Sequence, residues 1–94
     1  MIAWIASRTL QRGKLKAFRR AWQFKVRPQG LVAVYFLHGA KPNEMIGLSL
    51  WRSSAALRQY RRSAPERERL ASMNPLVRRV NWAGIYKAEK VLLR

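Results

Sequence analysis

Residues 47–63 read GLSLWRSSAALRQYRRS. The apolar run ends in Trp51 and passes within two residues to Ser53, whose hydroxyl suits a helix N-cap because it can accept from a free first-turn amide. A strand therefore meets a helix here, with the bulkiest side chain at the corner. Trp51 has two roles open to it: closing the core under the corner, or walling a pocket with its ring and indole N–H. Upstream, EMIGLSLW (44–51) reads as a strand, joined through the AKPN hairpin loop (40–43) to the apolar LVAVYFLHG (31–39). Downstream, SSAALRQYRRS (53–63) is a helix. The helical pattern continues over 64–75, where Pro65 suits a first helical position.

The flanks complete the order. MIAWIASRT (1–9) reads as a strand. In LQRGKLKAFRRAWQFKV (10–26), Leu15, Phe18, Trp22 and Val26 form one helical stripe. Phe24 lies opposite, so either the helix ends there or Phe24 meets a second surface. RPQG (27–30) breaks the helix and turns the chain. A last strand falls at about 77–87. The order β-α-β-β-α-β predicts an α+β, ferredoxin-like fold in one domain, residues 1–94: a four-stranded antiparallel sheet with two helices on one face.

The strands are apolar on both parities. Leu31, Ala33, Tyr35 and Leu37 oppose Val32, Val34 and Phe36; Ile46, Leu48 and Leu50 oppose Met45, Gly47 and Trp51; Ile2, Trp4 and Ala6 oppose Ala3 and Ile5. A sheet wet on one face alternates instead. Two helices cover one face, so the other needs a cover, and the reading is a homodimer packed sheet to sheet. The rival is a face that binds a ligand or RNA.

Charge is extreme: 20 Lys+Arg against 4 acids, +16 in all, with 14 Arg spread along the chain and no Asp. Such a surface favours anionic partners: nucleic acid, phospholipid, or a carboxylated or phosphorylated small molecule. The RNA-binding aromatic signature is absent, and the adjacent Tyr35 and Phe36 point to opposite faces, so nucleic acid is the secondary partner reading; a non-enzymatic dimer that binds a ligand or another protein is the third. There is no cysteine, which excludes disulfides, thiolate metal sites and a cysteine nucleophile and accords with a cytoplasmic protein. No run approaches the roughly 20 apolar residues of a membrane span.

The residues 47–63 resemble the antibiotic-biosynthesis-monooxygenase domain, a dimeric α+β barrel. The likeness runs through Trp51 at the strand end, Arg52-Ser53 as polar cap, Ala56-Leu57, Tyr60 in the helix, and Ser63. RPQGLVAVYFLHG is similar to that family's Pro/Gly loop entering its second strand. The resemblance implies a pocket between helices and sheet. It also implies oxidation of phenols to quinones by dioxygen, without metal, flavin or other cofactor. Some relatives degrade haem. They use a strand-one asparagine and a histidine after the second helix, where this chain offers Ser7 and ERERLA (66–71), so no haem is expected.

The candidate catalytic residues are Trp51, Tyr60 and His38. Tyr60 carries a hydroxyl that could donate to a ligand or oxygen intermediate, or an aromatic that simply packs on the sheet. His38 is the single histidine, a possible base at a strand end where exposed histidines are also common. Trp22, Arg52 and Asn81 are the candidate ligand contacts, for an anionic or aromatic small molecule. No metal site is expected. Glu66 and Glu68 alternate with Arg67 and Arg69, which reads as surface pairing.

Overall fold

The computed structural model describes residues 1–93. The elements are β1 (Ile2–Leu10), α1 (Leu15–Trp22), β2 (Leu31–His38), β3 (Glu44–Trp51), α2 (Ser54–Arg61), α3 (Ala64–Met73), a short 3-10 turn (Asn74–Leu76) and β4 (Val77–Lys87). The four strands form one antiparallel sheet in the order β2-β3-β1-β4. The ferredoxin-like arrangement holds, with one addition: the second helical segment is two helices. The break lies at Ser63. Its hydroxyl donates to Tyr60 O at 2.6 Å, against the end of α2, and accepts from Glu66 N at 3.4 Å, at the start of α3.

The first helix is shorter than its periodicity suggests. β1 runs on to Leu10, paired with Val77, and Gly13 turns the chain at φ 76 before α1 begins. α1 ends at Trp22 because Gln23 is extended. Phe18 and Trp22 are buried as the stripe predicts, but Val26, beyond the helix, is 78% exposed. Phe24 turns inward instead. Its ring lies 5.3 Å from Tyr60 and 6.4 Å from Trp51, the second surface that its position opposite the stripe allowed.

Register assigns the faces, because residues paired across strands share one. Toward the helices point Trp4, Ala6 and Arg8 of β1, and Met45, Gly47, Ser49 and Trp51 of β3, with Phe36 opposite Gly47. Two buried clusters fill that side: Leu10, Phe18, Trp22, Met45 and Met73 near α1 and α3, and Leu31, Trp51, Leu57 and Tyr60 under α2. Two of the glycines bring the sheet and the turn before it close against the helices. Gly30 has φ 86, and a Cβ there would meet Ala56 Cβ at 2.6 Å; a Cβ on Gly47 would meet the indole of Trp22 at 2.7 Å.

Candidate functional site

The corner of the sequence reading is core. Trp51 is fully buried, and its indole N–H donates to Ser49 Oγ at 2.9 Å, so that donor is spent inside the protein. Tyr60 stacks 5.1 Å from it. Tyr60 and Phe24 pack on Trp51 and border the cavities beside it, so Trp51 supports that wall from behind and lines none of the three.

Beside Tyr60 lies a charged cluster. Glu66 is only 1% exposed. The surface pairing expected of Glu66 and Arg69 is thus wrong: the two form a buried ion pair at 2.7 Å. SAPE (63–66) has the S-x-x-E spacing of a capping box, in which the glutamate reaches back to the N-cap amide. Here Ser63 N already donates to Tyr60 O at 2.9 Å, so the carboxylate turns inward. Arg69 Nε donates to Trp22 O at 2.7 Å, and its guanidinium lies 4.3 Å over the Phe24 ring. Glu66 Oε2 has no hydrogen-bond partner among the described residues. Burial, and then the Glu66 carboxylate, push the Tyr60 phenol well above its ordinary range, so it stays protonated at neutral pH. Arg8 is held below the usual guanidinium range, first by burial and then by Arg69.

Three cavities open around this cluster. The largest, about 510 Å³, lies between the end of α1 and α3; its walls include Phe24, Tyr60 and Arg69, with Arg20, Lys25 and Glu68. A second of about 220 Å³ lies across Tyr60, bordered by Val26, Pro28, Gln59 and Ser63. The third, about 20 Å³, lies on the sheet side of Arg69, lined by Trp4, Ala6, Arg8, Trp22, Gly47 and Ser49. Tyr60 borders both larger cavities, and Arg69 borders the largest and the smallest.

This layout is similar to a known set of structures. An oxygenase of Streptomyces nogalater, SnoaB, described as cofactor-independent, superposes with a TM-score of 0.81 over 99% of this chain and 97% of its own, at 18% identity. A candidate antibiotic biosynthesis monooxygenase from Chloroflexus aurantiacus gives 0.85 over 97% and 95%, at 11% identity. A conserved protein of Methanosarcina mazei gives 0.79 over 94% and 92%, at 16%. The chain has the fold of the antibiotic biosynthesis monooxygenases. No protein-family model and no curated protein matches it in sequence.

Within that fold the predicted site residues separate. Tyr60 and Trp22 line cavities. His38 is exposed at the end of β2, 5.3 Å edge-on to Phe36, and borders none of the three. Arg52 is exposed; its backbone N–H donates to Gly30 O at 2.8 Å, bracing the turn into β2. Asn81 lies on the opposite side of the sheet, at the bulge between β1 and β4. There it donates to Ser7 Oγ at 3.2 Å and accepts from Thr9 Oγ1 and Arg79 Nε. Neither Arg52 nor Asn81 is a cavity contact. The sequence reading missed Arg8, Phe24, Glu66 and Arg69. Two signals were present: Phe24 lay opposite the apolar stripe, and the S-x-x-E spacing marked the start of α3 but not the inward turn of Glu66. Among the described residues no three His, Asp or Glu stand together as a metal site, and no helix is long and apolar enough to cross a membrane.

Proposed function

We propose that the protein is a cofactor-independent oxygenase acting on a phenolic small molecule, and that it works as a homodimer. The observation that carries this reading is the cavity of about 510 Å³, walled by Phe24 and Tyr60 with Arg69 beside them. Its volume is in the range that small-molecule sites occupy. The aromatic walls match a ring, and Arg20, Lys25 and Arg69 favour a phenolate over a phenol. The fold shared with SnoaB supports the same reaction class.

The reaction balances without an outside reductant. The deprotonated substrate transfers electrons to dioxygen. One oxygen atom forms the new C=O, and the other leaves as water with two hydrogens: both from the CH₂ of an anthrone, or one from a ring C–H and one from the O–H of a phenol. The substrate supplies all four electrons. The protein's part is to orient the ring, hold the anion and exclude water. Tyr60, held protonated, donates to oxygen as negative charge develops there.

Oxygen uptake with a panel of anthrones and phenols, in metal-free and flavin-free buffer, tests the reading. Protein-dependent uptake is expected with at least one substrate, and Tyr60→Phe should lower kcat by roughly 10². Uptake equal to buffer autoxidation across the panel would overturn it.

The dimer reading rests on the helix-free face. Register places Ala3, Ile5, Tyr35, Leu37, Ile46, Leu48, Leu50, Trp82 and Tyr86 there. Arg79, at one end, is the cation that this register puts among them, in a chain with 20. A nucleic-acid surface would concentrate cations, whereas a face that meets its own copy excludes them.

A further inference from the structure

We propose that Arg8, with Arg69, forms a subsite for a carboxylate whose body is apolar, in the cleft between β1 and α3. The inference goes beyond the oxygenase reading and holds whether or not dioxygen is consumed.

The first argument is charge. Arg8 and Arg69 border one small cavity, and the acid placed against them is Glu66. Glu66 Oε1 is bound to Arg69 Nη1. Two guanidiniums and one carboxylate leave a net +1 in a place largely shielded from water. A like pair so placed is costly unless an anion completes it. Arg8 makes no hydrogen bond among the described residues; its guanidinium rests 5.8 Å from the centre of the Phe18 ring. Its five N–H donors form a planar fork that matches a carboxylate.

The second argument is shape. The cavity of about 20 Å³ has room for a head group of two oxygens, not for a ring. The Trp22 indole N–H reaches no acceptor among the described residues, and it lies over Gly47, where any side chain would displace it. Ser49 lines the same space. One negative charge balances the cluster, which suits a carboxylate better than a phosphate dianion.

The third argument concerns what lies alongside. Across from Trp4 and Arg8 on β4 stand Ile85 and Val80, 49% and 55% exposed on the face that carries the helices. Arg61 of α2 reaches over the Trp4 ring at 5.1 Å, and beside it β4 leaves the strip of Ile85 and Val80 open. An apolar ligand body lying along Trp4, Ile85 and Val80 would cover it while its carboxylate entered between the arginines.

Thermal melts at constant ionic strength test the proposal, with chloride replaced stepwise by formate or benzoate and with neutral benzamide as control. Benzoate is expected to raise Tm saturably, at lower concentration than formate; benzamide is not. Arg8→Met should abolish the saturable rise and, in low-anion buffer, melt no lower than wild type, because an uncompensated cation is gone. Arg58→Met, on the exposed face of α2, should keep it. Arg8→Lys, which preserves charge but not the fork, should weaken benzoate by roughly tenfold. An equal rise in wild type and Arg8→Met would mean general screening of a +16 chain and would overturn the site, as would full benzoate affinity in Arg8→Lys. Formate binding as tightly as benzoate would overturn the apolar part and leave a free small anion as the occupant. None of these outcomes depends on oxygen uptake, so failure here and failure of the oxygenase reading are distinguishable.

Discussion

Glu66 is the residue on which the interior charge balance turns. It is one of four acids in the chain, it is buried, and it neutralises Arg69 at 2.7 Å. Glu66→Gln keeps the shape but removes the counter-charge, leaving two guanidiniums facing each other. We expect a loss of about 3 kcal/mol in urea unfolding. Its neighbour Tyr60 gives a pH signature. The phenol is held protonated above its ordinary value of 10.0. The contribution to stability is therefore whole below that value. It is lost as pH rises through the folded-state value, because the unfolded chain gives up the proton first. Urea midpoints between about pH 9 and 11 should fall more steeply in wild type than in Tyr60→Phe. Equal slopes would show that burial and Glu66 do not hold the proton. None of this was legible in the sequence: ERER has the spacing of a solvated surface, and only the inward turn of one glutamate makes it a core feature.

Ser63 decides how the second helical segment is built. The hydroxyl serves α2 by donating to Tyr60 O and α3 by accepting from Glu66 N. Ser63→Ala should cost about 1 kcal/mol, read by thermal or urea unfolding. It should also loosen Tyr60 and Glu66, which the joint holds in place, so any oxygen uptake should fall with it. Elsewhere the elements followed their sequence signals closely. β2 runs over 31–38, β3 over 44–51 and β4 over 77–87, because apolar runs bounded by Pro, Gly and Asn leave the backbone few alternatives. α1 is the exception. The period-3.6 stripe starts with the helix at Leu15 but runs on to Val26, and the extended Gln23 stops the helix at Trp22; upstream, Leu10 belongs to β1 through its pairing with Val77, and Gly13 turns the chain between the two elements.

For the molecule as a whole, the unresolved balance is the open face of the sheet. Leu48 stands near its centre, paired with Ile5 on one side and Tyr35 on the other. Sedimentation should report a dimer at micromolar concentration. Leu48→Glu should weaken association by about 10² or more, since a charge placed there would be buried without a partner, while leaving the monomer folded. A compact monomer in the wild type would remove the dimer reading. The superpositions, at 11 to 18% identity, establish the fold, and the reaction class is tested at the cavity residues through Tyr60→Phe.

The sequence by itself determined the order of elements and the two-sided apolarity of the sheet, because alternation and turn residues act over a few neighbours. It also marked Tyr60 and Trp22 as aromatics on inward helix faces. The tertiary structure alone decided that Trp51 is core, that Asn81 lies across the sheet from the cavities, and that Arg8, Glu66 and Arg69 meet. Those three are far apart along the chain or look like surface in their local pattern. A buried charge is stable only through partners brought by other elements, and local spacing carries no record of them.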